Sequence, residues 1–163
     1  GYTREWYLEK IERIKAILGA DCGISSDMIT GFCSETEADH ADTLDLMERV
    51  RFDYAYMFHY SERPGTLAEK KFTDDIPLDI KKLRLSEVIE KQTRHSFERN
   101  KADVGKTFKV LIEGPSKKSD AWLQGRNSAN KVIVFPKEHY VKGQYVDVRV
   151  DQCTGATLIG KAV

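Results

Sequence analysis

Between Asp27 and Thr66 the hydrophobic period changes twice, and that alternation restricts the fold more than any other feature of the chain. A strand-like stretch from about Cys22 ends in Asp27-Met28-Ile29-Thr30, and Gly31 follows it as a turn. Thr36 with Asp39 three residues on reads as a capping box, with Asp in place of the usual Glu. Leu44, Met47 and Val50 then share one helical face up to about Arg51. From Phe52 the period returns to two, with Phe52, Tyr54, Tyr56, Phe58 and Tyr60 alternating with smaller or polar residues. Strand, helix and strand in this order make a βαβ unit, which predicts a parallel pair. Ligands of such sheets bind beyond the carboxyl ends of the strands. Here those ends are Gly31-Phe32-Cys33-Ser34-Glu35-Thr36 and Tyr60-Ser61-Glu62-Arg63-Pro64-Gly65-Thr66.

On the amino-terminal side, Thr3 is placed to cap a helix whose Tyr7, Ile11, Ile14, Ile17 and Leu18 fall at helical spacing, ending near Gly19. On the other side, residues 67–75 read as an irregular loop. Pro77 opens a long helix to about Asn100 with Ile80, Leu83 and Val88 as its apolar stripe. From Val104 the period drops to two, and five short strands are expected over 107–113, 121–125, 131–135, 145–151 and 157–161. The breaks between them are Gly114-Pro115-Ser116, residues 127–130, Lys142-Gly143 and Thr154-Gly155. Five strands with no helix predict a small OB-like barrel. The expected architecture is thus an α/β module over 1–100 followed by an all-β barrel over 101–163.

The charges divide along the same line. The net charge is zero, yet residues 101–163 hold eleven Lys and Arg against six Asp and Glu, while the first hundred hold fifteen against twenty. Opposite signs suit two modules, the second adapted to a polyanion. No apolar run approaches the roughly 18 residues of a membrane span, and the polar start is unlike a signal peptide. Three widely spaced cysteines (Cys22, Cys33, Cys153) argue against a disulfide framework and for a reducing, cytoplasmic setting.

Two regions carry candidate chemistry. Gly31 and Glu35 bracket a strand-to-helix turn that either faces a ligand or holds its glycine for steric reasons. Arg63, at the end of the second strand, either clamps an anion or pairs with Glu62 or Glu35. The four histidines have no metal-ligand spacing, His59 reads as a satisfied interior residue, and Cys33 has no His/Asp pair beside it, so no catalytic or metal-binding residues are identified. In the second module Lys117, Lys118, Arg126 and Lys131 lie in or beside connections, with Trp122, Phe135 and Tyr140 among them. Basic loops interleaved with aromatics fit single-stranded or loop RNA, although Trp122 and Phe135 serve equally well as core.

The run Tyr2-Thr3-Arg4-Glu5-x-Tyr7, the segment Ser26 to Thr36 and the Tyr60-to-Thr66 turn together resemble the radical SAM methylthiotransferases, in their tRNA-modifying branch. Val104-Gly105-Lys106, Gly125-Arg126-Asn127, Val134-Phe135 and Leu158-Ile159-Gly160 resemble the TRAM domain that ends those enzymes. The resemblance implies the C-terminal part of a partial TIM-like radical SAM barrel followed by TRAM. It implies S-adenosylmethionine and two [4Fe–4S] clusters in the full-length enzyme, and methylthiolation at C2 of N6-isopentenyladenosine in a tRNA anticodon loop. Gly31, Phe32, Glu35 and Arg63 would face S-adenosylmethionine, and Lys117, Lys118, Arg126 and Lys131 would grip the anticodon stem-loop. The cysteines, 11 and 120 positions apart, do not match the family's cluster motifs, so this chain by itself is expected to be inactive. Two alternatives stand beside this one: a ribosomal-protein methylthiotransferase of the sister family, and an RNA-binding module without activity of its own. An incomplete parallel sheet also predicts self-association through its exposed edge.

Overall fold

The computed structural model describes residues 1–19 and 21–163. Helix α1 (Arg4–Leu18) starts where Thr3 accepts the Trp6 N–H and ends at Gly19, whose φ of +89° favours glycine. Strand β1 (Ser25–Thr30) leads into α2 (Glu37–Val50), and the expected capping box forms between Thr36 and Asp39. Strand β2 (Tyr54–His59) runs parallel to β1, from Ser25 opposite Tyr54 to Thr30 opposite His59. Ile11, Met28, Met47, Val50, Phe52 and Val88 form the core beneath this pair. Both strands begin later than the sequence suggests. Asp53 closes their entry instead, donating its N–H to the Ile24 carbonyl (2.8 Å) and accepting the Ile24 N–H on its carboxylate (3.0 Å). The opposite face is open, with Ile29, Tyr56 and Phe58 each more than half exposed.

Residues 67–75 are not wholly irregular, since a short helix α3 (Leu67–Lys71) is capped by Thr66. Five residues are too few to display a helical period. Helix α4 (Leu78–Lys101) has Pro77 at its cap, where the missing N–H costs nothing. Its packed face corrects the expected stripe: Leu83 is exposed, and the buried row is Lys81, Arg84, Val88, Gln92, His95, Ser96 and Asn100. Each polar member has a hydrogen-bond partner. Gln92 donates to the Phe52 carbonyl (2.9 Å), Ser96 to the Asp53 carbonyl (2.7 Å) and Asn100 to the Thr154 carbonyl (3.0 Å). Helix α4 therefore attaches by hydrogen bonds where most helices use hydrocarbon.

Where α2 meets α4, Glu48 accepts from Lys91, Arg94 and His95. The Lys91 and His95 hydrogen bonds hold the Glu48 carboxyl down to about 2, while burial pushes His95 below its ordinary value despite Glu48 beside it. Both groups titrate lower in the folded chain than in the unfolded one. Their stabilisation is thus complete above pH 6.5 and is lost as pH falls, first through the histidine and then toward about 2 through Glu48. The thermal midpoint should fall continuously in a series from about pH 7 to about pH 2, and Glu48→Gln should flatten the acid end. A midpoint constant down to about pH 3 would contradict this assignment.

The remaining strands are β3 (Thr107–Ser116), β4 (Ser119–Arg126), β5 (Val132–Pro136), β6 (Tyr145–Cys153) and β7 (Leu158–Ala162). Strand β3 pairs with both β4 and β6, and the order β3-β4-β5-β7-β6 closes into a barrel. The seam between β5 and β7 is parallel and short: Ile133 faces Leu158 and Val134 faces Ile159. Alternate residues, including Val110, Ile112, Leu123, Ile133, Phe135, Val148 and Leu158, fill the interior. Gly114-Pro115-Ser116 does not break β3 as expected. The strand bulges there, the register shifting between Ile112 and Gly114, and Pro115 is accommodated in the interrupted ladder. The turn itself is Lys117-Lys118.

Candidate functional site

At the carboxyl ends of the parallel strands the Gly31-to-Glu35 turn is closed on itself. Gly31 has φ +68°, and a Cβ there would lie 2.4 Å from Lys81 Cγ, so the steric reason for the glycine holds. Its N–H donates to Glu35 Oε2 at 2.5 Å, and the same oxygen accepts from Arg84 at 2.8 Å. Arg84 also donates to the Glu35 carbonyl (2.9 Å) and to Glu37 (2.5 Å). The Glu37 contact is the largest influence raising the guanidinium pKa, against burial. With its side chain only 11% exposed, Glu35 orders the turn and has little surface left for a ligand.

Two other expected residues are differently disposed. Phe32 is 39% exposed and stacks edge-on against Tyr60 and Phe72 at centroid distances of 5.0 and 5.7 Å. Arg63 is exposed and forms no ion pair with Glu62 or Glu35; its carbonyl accepts the Thr66 hydroxyl at 2.8 Å. It borders a groove of about 610 Å³ with His59, Tyr60 and Ser61. Its side chain is open to solvent beside this groove. His59 lies on this groove, its Nδ1 3.1 Å from the Tyr60 carbonyl, so it is not an interior residue. The Cys33 thiol is buried, and among the described residues no group of three or more His, Cys, Asp or Glu could hold a metal.

The second site lies on the barrel. Lys117 and Lys118 form the exposed tip of the β3–β4 hairpin. Together with Arg126 and the β6–β7 loop around Thr154 they rim a cleft of about 410 Å³, floored by Val132, Val134 and Ile159. Arg126 is held in place by Glu113 (3.3 Å) and by the Asn130 carbonyl (2.9 Å), yet 41% of its side chain remains accessible. Trp122 is half-buried on the same outward row of β4 as Gln124 and Arg126. Phe135 is fully buried, with the partly buried Tyr140 edge-on against it, so for Phe135 the core reading applies.

Lys131 is not part of that rim. Its Nζ lies 2.6 Å from Asp103 and 3.2 Å from Asp53, with 10% of the side chain exposed. Paired with two carboxylates and largely covered, it faces away from solvent and joins the barrel to the βαβ unit. Arg99 reaches the same Asp53 carboxylate (3.1 Å), and Lys106 bridges Asp103 and Asp21. Burial alone would raise the Asp53 pKa, but Arg99, the Ile24 N–H and Lys131 outweigh it and keep the carboxyl below its usual range. Sequence reading missed Asp53, Arg99, Asp103 and Arg84. Their partners lie in distant segments, and the one local signal was an acid set between the aromatics Phe52 and Tyr54.

Residues 101–163 match the family described as TRAM domain. Over its whole length the chain is similar to curated proteins named tRNA-2-methylthio-N(6)-dimethylallyladenosine synthase. That of Amoebophilus asiaticus is 62% identical over 160 residues, covering 98% of this chain and 33% of the relative. Those of Christiangramia forsetii and Porphyromonas gingivalis are each 52% identical, covering 99% and 100% of this chain and 34% and 35% of the relatives. The chain spans about a third of the length of the curated relatives it matches. Among the described residues no helix is long and apolar enough to cross a membrane.

Proposed function

We propose that this chain, similar over its whole length to about a third of the tRNA-2-methylthio-N(6)-dimethylallyladenosine synthases, is the substrate-holding third of a cytoplasmic tRNA methylthiotransferase. The whole enzyme would add a methylthio group to C2 of N6-isopentenyladenosine in the anticodon loop by radical SAM chemistry. Residues 1–100 would be the end of the radical SAM core and residues 101–163 the RNA-binding domain.

One observation carries this reading. Lys117, Lys118 and Arg126 stand around a single cleft over the second and third barrel strands, between the first hairpin and the last loop. In five-stranded barrels of OB type that face and those loops bind oligonucleotides. Cationic side chains around an apolar floor suit phosphates outside and bases within.

The other cofactors bear on this chain unequally. Cys22, Cys33 and Cys153 are all free and lie in separate segments of the chain, which does not fit a cluster, so no cluster chemistry is assigned to them. S-adenosylmethionine fits better. Arg63 would meet its carboxylate and Phe32 its adenine, while Gly31 and Glu35 would keep the turn in shape without contacting it. When bound, S-adenosylmethionine supplies the radical that starts the reaction, and the residues here bind and orient it.

The test is binding of the chain to an unmodified anticodon stem-loop across a salt series. Affinity should fall steeply with salt, each lost phosphate contact changing the logarithmic slope by about 0.7 to 0.9. Reversing Lys117, Lys118 and Arg126 to Glu should remove most of that slope. Binding insensitive to the triple variant would move the RNA grip elsewhere. The exposed Ile29, Tyr56 and Phe58 face also supports self-association of the chain by itself, which sedimentation equilibrium would contradict by a single monomer mass.

A further inference from the structure

The loop between β4 and β5, residues 127–131, belongs to the barrel but also meets the first module. Ala129 is seated on Gly23, where a Cβ would lie 2.6 Å from the Ala129 carbonyl oxygen. Lys131 reaches Asp53. Between these two contacts the Asn130 amide forms a bridge. Its Oδ1 accepts from Arg126 of the basic cleft (3.2 Å), and its Nδ2 donates to the Tyr54 hydroxyl (2.7 Å) at the start of β2. Arg126 also donates to the Asn130 carbonyl (2.9 Å), so one guanidinium holds both oxygens of that residue. The two hydrophobic cores share no residue, so polar contacts of this kind carry the joint.

The joined loop is not fully relaxed. Asn130 has φ +60°, in the left-handed region. Asn127 accepts the Ala129 and Lys131 N–H groups on its Oδ1 (3.1 and 3.0 Å), which fixes the amide and turns its Nδ2 the other way. That Nδ2 is buried and has no acceptor among the described residues. An unpaired buried donor raises the energy of the joined arrangement, and a loop that turns this amide to water relieves it. There is room for such a shift, because Asn127, Ala129 and Lys131 line a cavity of about 50 Å³ against Asp21 and Lys106.

Resting on the RNA-binding reading above, we propose that this loop is a switch that couples RNA in the barrel cleft to the barrel's hold on the first module. A phosphate that draws the Arg126 guanidinium into the cleft takes it from both Asn130 oxygens, because a bond between two charged groups is stronger than bonds to neutral acceptors. Asn130 then loses the contacts that aim its amide at Tyr54, and the bridge opens. The Ser25 side chain is a second partner of the Tyr54 hydroxyl, so opening does not leave that group alone. The barrel itself stays attached, since Asn100 of α4 holds the Thr154 carbonyl (3.0 Å). The joined and open states thus differ in one loop, and the sites they connect are the cleft and the entry of the parallel pair. Such coupling is reciprocal: the bridge to Tyr54 opposes RNA binding, and its removal favours it.

The experiment measures binding of the full chain to an anticodon stem-loop for the parent, Tyr54→Phe, Arg126→Ala and the double variant. Tyr54→Phe deletes one hydroxyl, keeps the ring, and should tighten binding about fivefold. In the Arg126→Ala background the same change should have no effect, which isolates the Arg126–Tyr54 coupling. Amide hydrogen exchange over residues 127–131 of the parent should accelerate when the stem-loop is added. Tyr54→Phe affinity equal to or below the parent's would overturn the switch while leaving the barrel reading intact. So would a gain that persists without Arg126, or loop exchange that is unchanged or slowed by RNA. If reversing Lys117, Lys118 and Arg126 left stem-loop binding unaltered, the barrel reading would fail and the switch with it.

Discussion

Replacing Asp53 with alanine should destabilise the chain by about 3–5 kcal/mol, as expected when one partner of a buried ion pair is removed. The carboxylate is 1% exposed and accepts from Arg99, Lys131 and the Ile24 N–H. Without it, Lys131 would keep Asp103 as its one carboxylate, with a long contact to the Arg99 carbonyl, and the Ile24 N–H would lose its acceptor. Asp53→Asn should lose less, since an amide oxygen can still receive the Ile24 N–H. Urea unfolding followed by tryptophan fluorescence reads the difference directly. A loss below about 1 kcal/mol would mean that the network is solvated and holds nothing together.

Gly160→Ala should disrupt barrel closure even though it adds a single methyl group. The new Cβ would lie 2.1 Å from the Arg149 carbonyl oxygen and 3.0 Å from a Val148 methyl carbon. The first of these atoms is backbone of the adjoining strand and cannot swing aside. Relief requires β7 to move away from β6, which also strains the two-residue seam with β5. Overpacking of this kind costs about 1–3 kcal/mol or more, a fall of roughly 5–20 °C in melting temperature. Gly125→Ala, 2.2 Å from the Leu111 carbonyl oxygen, should behave similarly. A Gly160→Ala melting curve superimposable on the parent would refute the close strand approach.

Periodicity made most of the framework legible. The parallel pair, the Thr36–Asp39 capping box and the five strands all follow from spacing alone, because local sterics and alternation produce them. It failed where polar atoms replace hydrocarbon. The row of α4 that packs inward carries Lys81, Arg84, Gln92, His95 and Asn100, and a search for apolar residues selects Leu83, which faces solvent. Gly114-Pro115 reads as punctuation because bulges and turns use the same residues. At the sites, Lys117, Lys118 and Arg126 share one cleft, whereas Lys131 and Glu35 do not stand free. A lysine's composition says nothing of whether two aspartates from other segments will meet it.

Helix α4 touches both ends of the molecule. Arg84, near its start, ties down the turn at the sheet's carboxyl end, and Asn100, near its finish, holds the β6–β7 loop of the barrel. Sixteen helical residues separate them, about 24 Å of stiff rod. The rod acts as a ruler between the basic cleft and the strand ends. A flexible partner engaging both must span that fixed gap, so its reach, as well as its chemistry, would decide whether it is accepted.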